Sequence, residues 1–297
     1  MSEQRVALLS LSFAPLRRCV NIRSVLSIDF CVIAYRKVFN MKILAVGDVT
    51  GDCGLDFLSS NLRYIIDDEN IDFCIVNGEN AAVRNGITPH EYDIITDCGA
   101  NVVTLGNHTW SKKDVFNIID DEKLLRPANY PKDVVGKGCN IYNYKNKKVA
   151  VINLIGRTNM GVLSENPFLE ADNIIKEIKD KSDYIIIDFH AEATAEKIAL
   201  ANYLDGKVNI IFGTHTHVQT ADEMILPNGT AYITDVGMTG PINSVIGMDK
   251  KASIKRFVTT LPEKYKVSED KNVILNGCIL KLNGENCRAE KITRIKV

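Results

Sequence analysis

Apolar and polar positions along the chain switch repeatedly between two periods. Ile43–Val46, Phe73–Val76, Asn101–Thr104, Val149–Leu154, Tyr184–Phe189, Val208–Phe212 and Ala231–Thr234 are short apolar runs rich in β-branched residues, which predicts strands. Tyr184–Phe189 is almost wholly apolar, the pattern of a strand covered on both faces. Between these runs the spacing lengthens. Leu58, Leu62, Ile65 and Ile66 share one face of a helix predicted over 54–68, and Pro89 suits the first turn of a second one reaching Cys98. Further helices are expected over 113–121, 171–181, 192–204 and 253–261. Segments 126–138, 156–167 and the Gly-rich 235–241 read as loops. Two final strands, Val273–Leu282 and Ala289–Val297, flank a turn at 283–286 and predict a hairpin on a sheet edge. The alternation predicts an α/β fold, with residues 41–297 as one domain.

Chemistry-bearing residues recur where the strands end. Asp48 follows the first strand, Glu79 and Asn80 the second, Asn107 and His108 the third, His190 the fifth, and His215 and His217 the sixth. An open α/β sheet gathers its C-terminal strand ends on one rim, where ligands bind. Gly106 turns the chain sharply after the third strand. Asn107 there offers a hard oxygen, whereas His108 can carry a proton. Each position has a plainer reading. Asp48 could cap a helix, Glu79, Asn80 and Asn107 could stabilise turns, and a single histidine after a strand is often structural. The His215-Thr216-His217 pair favours metal, because an extended segment points both imidazoles to one side. His90 reads as a surface helix residue.

With His108 set aside for acid–base work, seven candidate ligands remain: Asp48, Glu79, Asn80, Asn107, His190, His215 and His217. They combine oxygen and imidazole without thiolate, which suits Mn²⁺, Fe²⁺ or Zn²⁺ at a reactive site better than a structural zinc. Seven exceed one ion and suit two ions sharing a carboxylate, the arrangement used for in-line displacement at phosphorus.

Composition narrows the class. The chain has 297 residues, is 45% hydrophobic and 25% charged, and has a formal net charge of −1. That balance gives no sign of a nucleic-acid groove or a membrane surface. No apolar run reaches the roughly 18 residues of a membrane span. The eight cysteines include no Cys-x-x-Cys pair, fitting reduced thiols in a cytoplasmic protein. Residues 1–40 differ from the rest, with six basic and two acidic side chains. They are expected to lie outside the fold. Met41 begins a clean first strand and reads as the start of the protein proper, the alternative being a basic, Ser-containing targeting segment.

The motifs together resemble the calcineurin-like metallophosphoesterases. More closely, 77–82 (Asn-Gly-Glu-Asn-Ala-Ala), 105–110 (Leu-Gly-Asn-His-Thr-Trp), 188–194 (Asp-Phe-His-Ala-Glu-Ala-Thr) and 235–241 (Asp-Val-Gly-Met-Thr-Gly-Pro) resemble the bacterial YmdB family of cyclic-nucleotide phosphodiesterases. The resemblance covers essentially Met41 to Val297. It implies a sandwich of two mixed β-sheets flanked by helices. It implies one ion held by Asp48, Glu79, Asn80 and His217, and a second held by Glu79, Asn107, His190 and His215, with Glu79 bridging. His108 would be the proton donor. The wider superfamily opens with Asp-x-His, whereas this chain has Asp48-Val49-Thr50, and Asn80 would replace the missing imidazole. An oxygen-richer first site shifts the preference towards iron or manganese over zinc.

The expected activity is hydrolysis of 2′,3′-cyclic nucleotides by hydroxide generated at two divalent ions. The alternatives are a metal-dependent phosphomonoesterase or nuclease on the same core, or a non-catalytic metal-dependent nucleotide- or RNA-binding regulator. The expected partner is a small phosphodiester; RNA is not indicated by charge, no membrane is expected, and a homo-oligomer is left open. Segments 156–167 and 237–247 are candidates to line a specificity pocket.

Overall fold

A computed structural model describes residues 40–264 and 266–297. The expectation for residues 1–40 therefore lies outside the described residues, apart from Asn40. In chain order the elements are β1 (Met41–Val46), β2 (Asp48–Val49), α1 (Gly51–Asp68), β3 (Phe73–Asn77), α2 (Pro89–Asp97), β4 (Val102–Thr104) and β5 (Leu124–Leu125). They continue with β6 (Cys139–Tyr144), β7 (Lys147–Ile155), α3 (Pro167–Ile178), β8 (Tyr184–His190), α4 (Thr194–Leu204) and β9 (Ile210–Thr214). The chain closes with β10 (Met224–Ile225), β11 (Ala231–Ile233), β12 (Met238–Pro241), α5 (Lys250–Thr259), β13 (Val273–Leu282) and β14 (Ala289–Lys296).

The strands form two mixed sheets. The first runs β2-β12-β13-β1-β3-β4-β5, with β14 on the other side of β13. Its β1, β3, β4 and β5 are parallel, while β13 is antiparallel to β1, β12 and β14. The second runs β10-β11-β9-β8-β7-β6, parallel from β7 to β11 and closed by antiparallel β6 and β10. Period-two alternation then builds the layers. Met41, Ile43 and Ala45 of β1 face the second sheet and pack with Val149, Val151, Tyr184, Ile186 and Phe212. Leu44 and Val46, pointing the other way, pack with Leu58 and Leu62 of α1 and Ile95 of α2. Ile185, Ile187 and Phe189 of β8 likewise meet α3 and α4 through Ile175, Leu200 and Leu204. The result is helix, sheet, sheet, helix. Each such side chain contributes roughly 1.5–3 kcal/mol by leaving water.

Local signals set several boundaries. Pro89 opens α2 behind a capping box in which Glu91 accepts from Thr88 N at 2.8 Å. Asn166 caps α3 by accepting from Phe168 N at 2.9 Å.

Other expectations need correction. The helix expected over 113–121 is only a 3₁₀ turn, Lys113–Asn117, since Val115 alone in that turn is buried. The Gly-rich loop at 235–241 becomes strand β12 from Met238 onwards, paired to β13 and β2. The terminal hairpin lies partly inside the sheet. β14 forms an outer edge, but β13 sits between it and β1. Helix α5 buries none of its residues.

Candidate metal centre

Five parallel strands deliver their C-terminal ends to one rim. β1 leads to Asp48, β3 to Glu79 and Asn80, β4 to Asn107 and His108, β8 ends in His190, and β9 leads to His215 and His217. Three of these strands belong to the first sheet and two to the second, so the site lies across the seam between the sheets.

All eight residues singled out by the sequence meet there. His190 Nε2 lies 2.8 Å from Glu79 Oε1 and 3.0 Å from Asn107 Oδ1, and His215 Nδ1 lies 3.0 Å from His190 Nε2. Donor atoms of Glu79, His190 and His215 fall within 4.8 Å of one another. The second cluster is centred on Asp48, whose Oδ1 is 3.6 Å from His217 Nε2. The Asn80 amide borders both clusters, with Nδ2 3.5 Å from Asp48, 3.3 Å from Glu79 and 3.3 Å from His217. A half-turn of that amide would direct its oxygen to the same point. His108 donates its backbone N–H to Glu79 Oε2 at 3.0 Å, while its ring stands apart, against Asn85 Nδ2 and Ser111 Oγ.

The two histidines of His215-Thr216-His217 do not lie on one side of an extended segment. Both adopt left-handed backbone conformations, φ 100° and 65°, so that His215 faces Glu79 and His190 while His217 faces Asp48. Each such residue costs on the order of 1–3 kcal/mol unless its surroundings hold it.

The donor set suits cations. Asp48, Glu79 and His190 are fully buried, and among the described residues the ion-pair partners of both carboxylates are histidines. Lone-pair atoms thus converge without a lysine or arginine to balance them, which a divalent ion does. Electrostatics agree. Burial would raise the Asp48 carboxyl, but the hydrogen bond and charge of His217 outweigh it and hold it well below the carboxylate range. Burial opposes a charged His217, yet Asp48 pushes it up to about 9. Burial and the neighbouring His190 push His215 down to about 4. Burial also lowers His108.

Sequence reasoning missed the residues behind the rim. His190 Nδ1 lies 2.9 Å from Thr214 Oγ1, which donates to Asp188 Oδ1 at 2.7 Å. Asp188 also accepts from Asn77 Nδ2 and Thr104 Oγ1, tying the two sheets together, and burial pushes it up to about 6. The relay fixes the ring of His190 with Nε2 turned to the cluster. A carboxylate inside an apolar strand was the available signal. Glu192, 3.2 Å from His215 Nε2, was also unassigned.

A cavity of about 1630 Å³ opens over the cluster, lined by Asn80, Asn85, His108, His215 and His217, with Phe57, Ile246 and Lys266 farther out. Segment 156–167 contributes nothing to this lining, and 237–247 contributes only Ile246. Lys264 and the segment 266–271, not anticipated from sequence, supply much of the outer wall.

Known proteins resemble this chain over most of its length. A family model described as YmdB-like protein matches residues 44–295. A 2′,3′-cyclic-nucleotide 2′-phosphodiesterase of Bacillus subtilis (strain 168) is 48% identical over 258 residues, covering 86% of this chain and 97% of the relative. The crystal structure of a novel phosphatase from Mycoplasma pneumoniae superposes with a TM-score of 0.83 at 35% identity, over 88% of this chain and 94% of that one. A hypothetical protein from Thermus thermophilus superposes with a TM-score of 0.81 at 36% identity, over 86% and 99%. Two mixed sheets flanked by helices are the sandwich expected from the sequence, and the chain belongs to the YmdB-like family.

Proposed function

We propose that this chain is a dinuclear-metal phosphodiesterase that hydrolyses 2′,3′-cyclic nucleotides. The observation that carries the reading is the meeting of two donor clusters on one rim with Glu79 between them. Asp48, Glu79, Asn80 and His217 would hold one divalent ion, and Glu79, Asn107, His190 and His215 the other. Oxygen-rich donors favour iron or manganese over zinc. Two such ions supply positive charge to the phosphoryl oxygens and lower the pKa of an attacking water.

The remaining chemistry falls to the chain. His108 stands beside the cluster with its ring in the cavity wall, where it hands a proton to the departing ribose oxygen. Burial lowers its pKa, whereas a bound phosphate anion acts in the opposite direction and favours the protonated ring. Asn85 and Ser111 hold that ring in place. The B. subtilis relative, named for 2′,3′-cyclic nucleotides, supports the substrate class.

Residues 41–297 form the catalytic domain in this reading, and the protein works in the cytoplasm. The thiols of Cys53, Cys74, Cys98, Cys139, Cys278 and Cys287 are free, and no helix of the described residues is long and apolar enough to cross a membrane.

Metal analysis of the purified protein, followed by initial rates on 2′,3′-cyclic nucleotides, phosphomonoesters and RNA, tests the proposal. Preference for the cyclic nucleotide supports it. Faster turnover of a phosphomonoester or RNA overturns the substrate class. Bound metal without turnover points instead to a regulatory binding protein.

A further inference from the structure

Behind the His215–His217 turn lies an ion pair that the chemistry does not touch. Lys197 of α4 is 1% exposed and Asp235 is fully buried, with Nζ 2.7 Å from Asp235 Oδ2. Lys197 also donates to Thr214 O at 2.8 Å. Asp235 Oδ2 further accepts from both Thr216 N at 3.0 Å and Thr216 Oγ1 at 2.8 Å. Its other oxygen accepts from Gly237 N at 2.8 Å. Gly237 O in turn accepts from Asp48 N at 3.2 Å, and a Cβ at Gly47 would lie 2.1 Å from that carbonyl. One carboxylate is thereby linked to both halves of the cluster. Through Thr216 it grips the backbone between His215 and His217, and through Gly237 it sets the turn carrying Asp48.

We propose that Lys197 and Asp235 are positioning residues that preset the His215–Thr216–His217 turn and the Asp48 turn for metal, an inference that rests on the ligand set given above. Two observations carry it beyond ordinary packing. A buried ion pair adds little net stability over apolar residues of the same volume, so its presence calls for another role. Its hydrogen bonds also end on Thr216, which is flanked by two left-handed histidines whose backbones need external support. Lys197 completes the arrangement by neutralising Asp235, which would otherwise add a negative charge directly behind the rim.

The test is Mn²⁺ titration of chelator-treated protein by calorimetry, with circular dichroism to confirm folding. Asp235→Asn keeps the shape but can no longer accept from Thr216, Lys197 and Gly237 together. Its Mn²⁺ affinity is expected to fall about 10–100-fold, the usual effect of losing a group that orients metal ligands. Turnover should recover as Mn²⁺ is raised to saturation, which a general loss of folded protein would not produce. Folded Asp235→Asn with wild-type Mn²⁺ affinity overturns the proposal. Should that variant not fold, Thr216→Val, which removes only the hydroxyl contact, decides. A several-fold loss of affinity supports the pair, and wild-type affinity overturns it. Wild-type protein that takes up no Mn²⁺, Fe²⁺ or Zn²⁺ overturns the ligand set itself, a distinct result from variants that match a metal-binding wild type.

Discussion

Gly106 brings its backbone against the Glu79 carboxylate: a Cβ there would lie 2.4 Å from Glu79 Oε2, and also 2.3 Å from His190 Cδ2. The carbonyl of Gly106 is fixed as well, accepting from Thr109 Oγ1 at 2.6 Å and Tyr130 OH at 3.1 Å. The turn therefore cannot back away from a larger side chain. Gly106→Ala is expected to push Glu79 and His190 apart and lose both bound metal and activity. Elemental analysis checks it, and a variant with full metal content would show that the turn can yield.

His108→Ala should separate proton transfer from metal binding. Its ring contacts Asn85 and Ser111 and lies outside the ligand clusters, so metal content should stay at the wild-type level. Turnover should fall by about 10²–10⁴, the usual contribution of a positioned acid. Near-normal turnover by the metal-loaded variant would assign the proton to another group.

Thr214→Val cuts the link from Asp188 to His190 while nearly keeping the side-chain volume. The His190 ring then loses its orienting partner, and Asp188 loses one of its donors. We expect Mn²⁺ affinity to drop about 10–100-fold. Unchanged binding would mean that packing alone holds the imidazole.

The Asp48–His217 pair makes the stability of chelator-treated protein depend on pH. Burial opposes the charge on His217, but Asp48 lifts its folded pKa from 6.5 to about 9. The stabilisation is therefore complete below 6.5 and disappears as pH rises through about 9. Thermal unfolding should show a decline over that window that is absent from His217→Gln. An identical decline in the variant would place its origin elsewhere.

Much of this architecture is legible in the chain. Short β-branched runs and helical spacing gave the alternation of strands and helices, because burial of one face imposes those periods on the sequence. Polar residues placed directly after strands marked the rim, because side chains there escape the packing that makes strand interiors apolar. Asp48, Glu79, Asn107 and His190 could be picked out on that ground, and the runs around them carried the family resemblance.

Tertiary structure decided what depends on approach between distant segments. Sequence placed β12 in a loop, since Met238–Pro241 is Gly- and Pro-rich; pairing with β13 and β2 makes it a strand. No local pattern pairs Lys197 with Asp235, 38 positions away; the fold alone brings them together in the interior. His215 and His217 look like two ligands on one side of an extended segment. Their left-handed turns, held by contacts formed only in the fold, send them instead to opposite halves of the cluster. Local periodicity records which residues are buried; which buried groups face one another is set by how the two sheets and their flanking helices close.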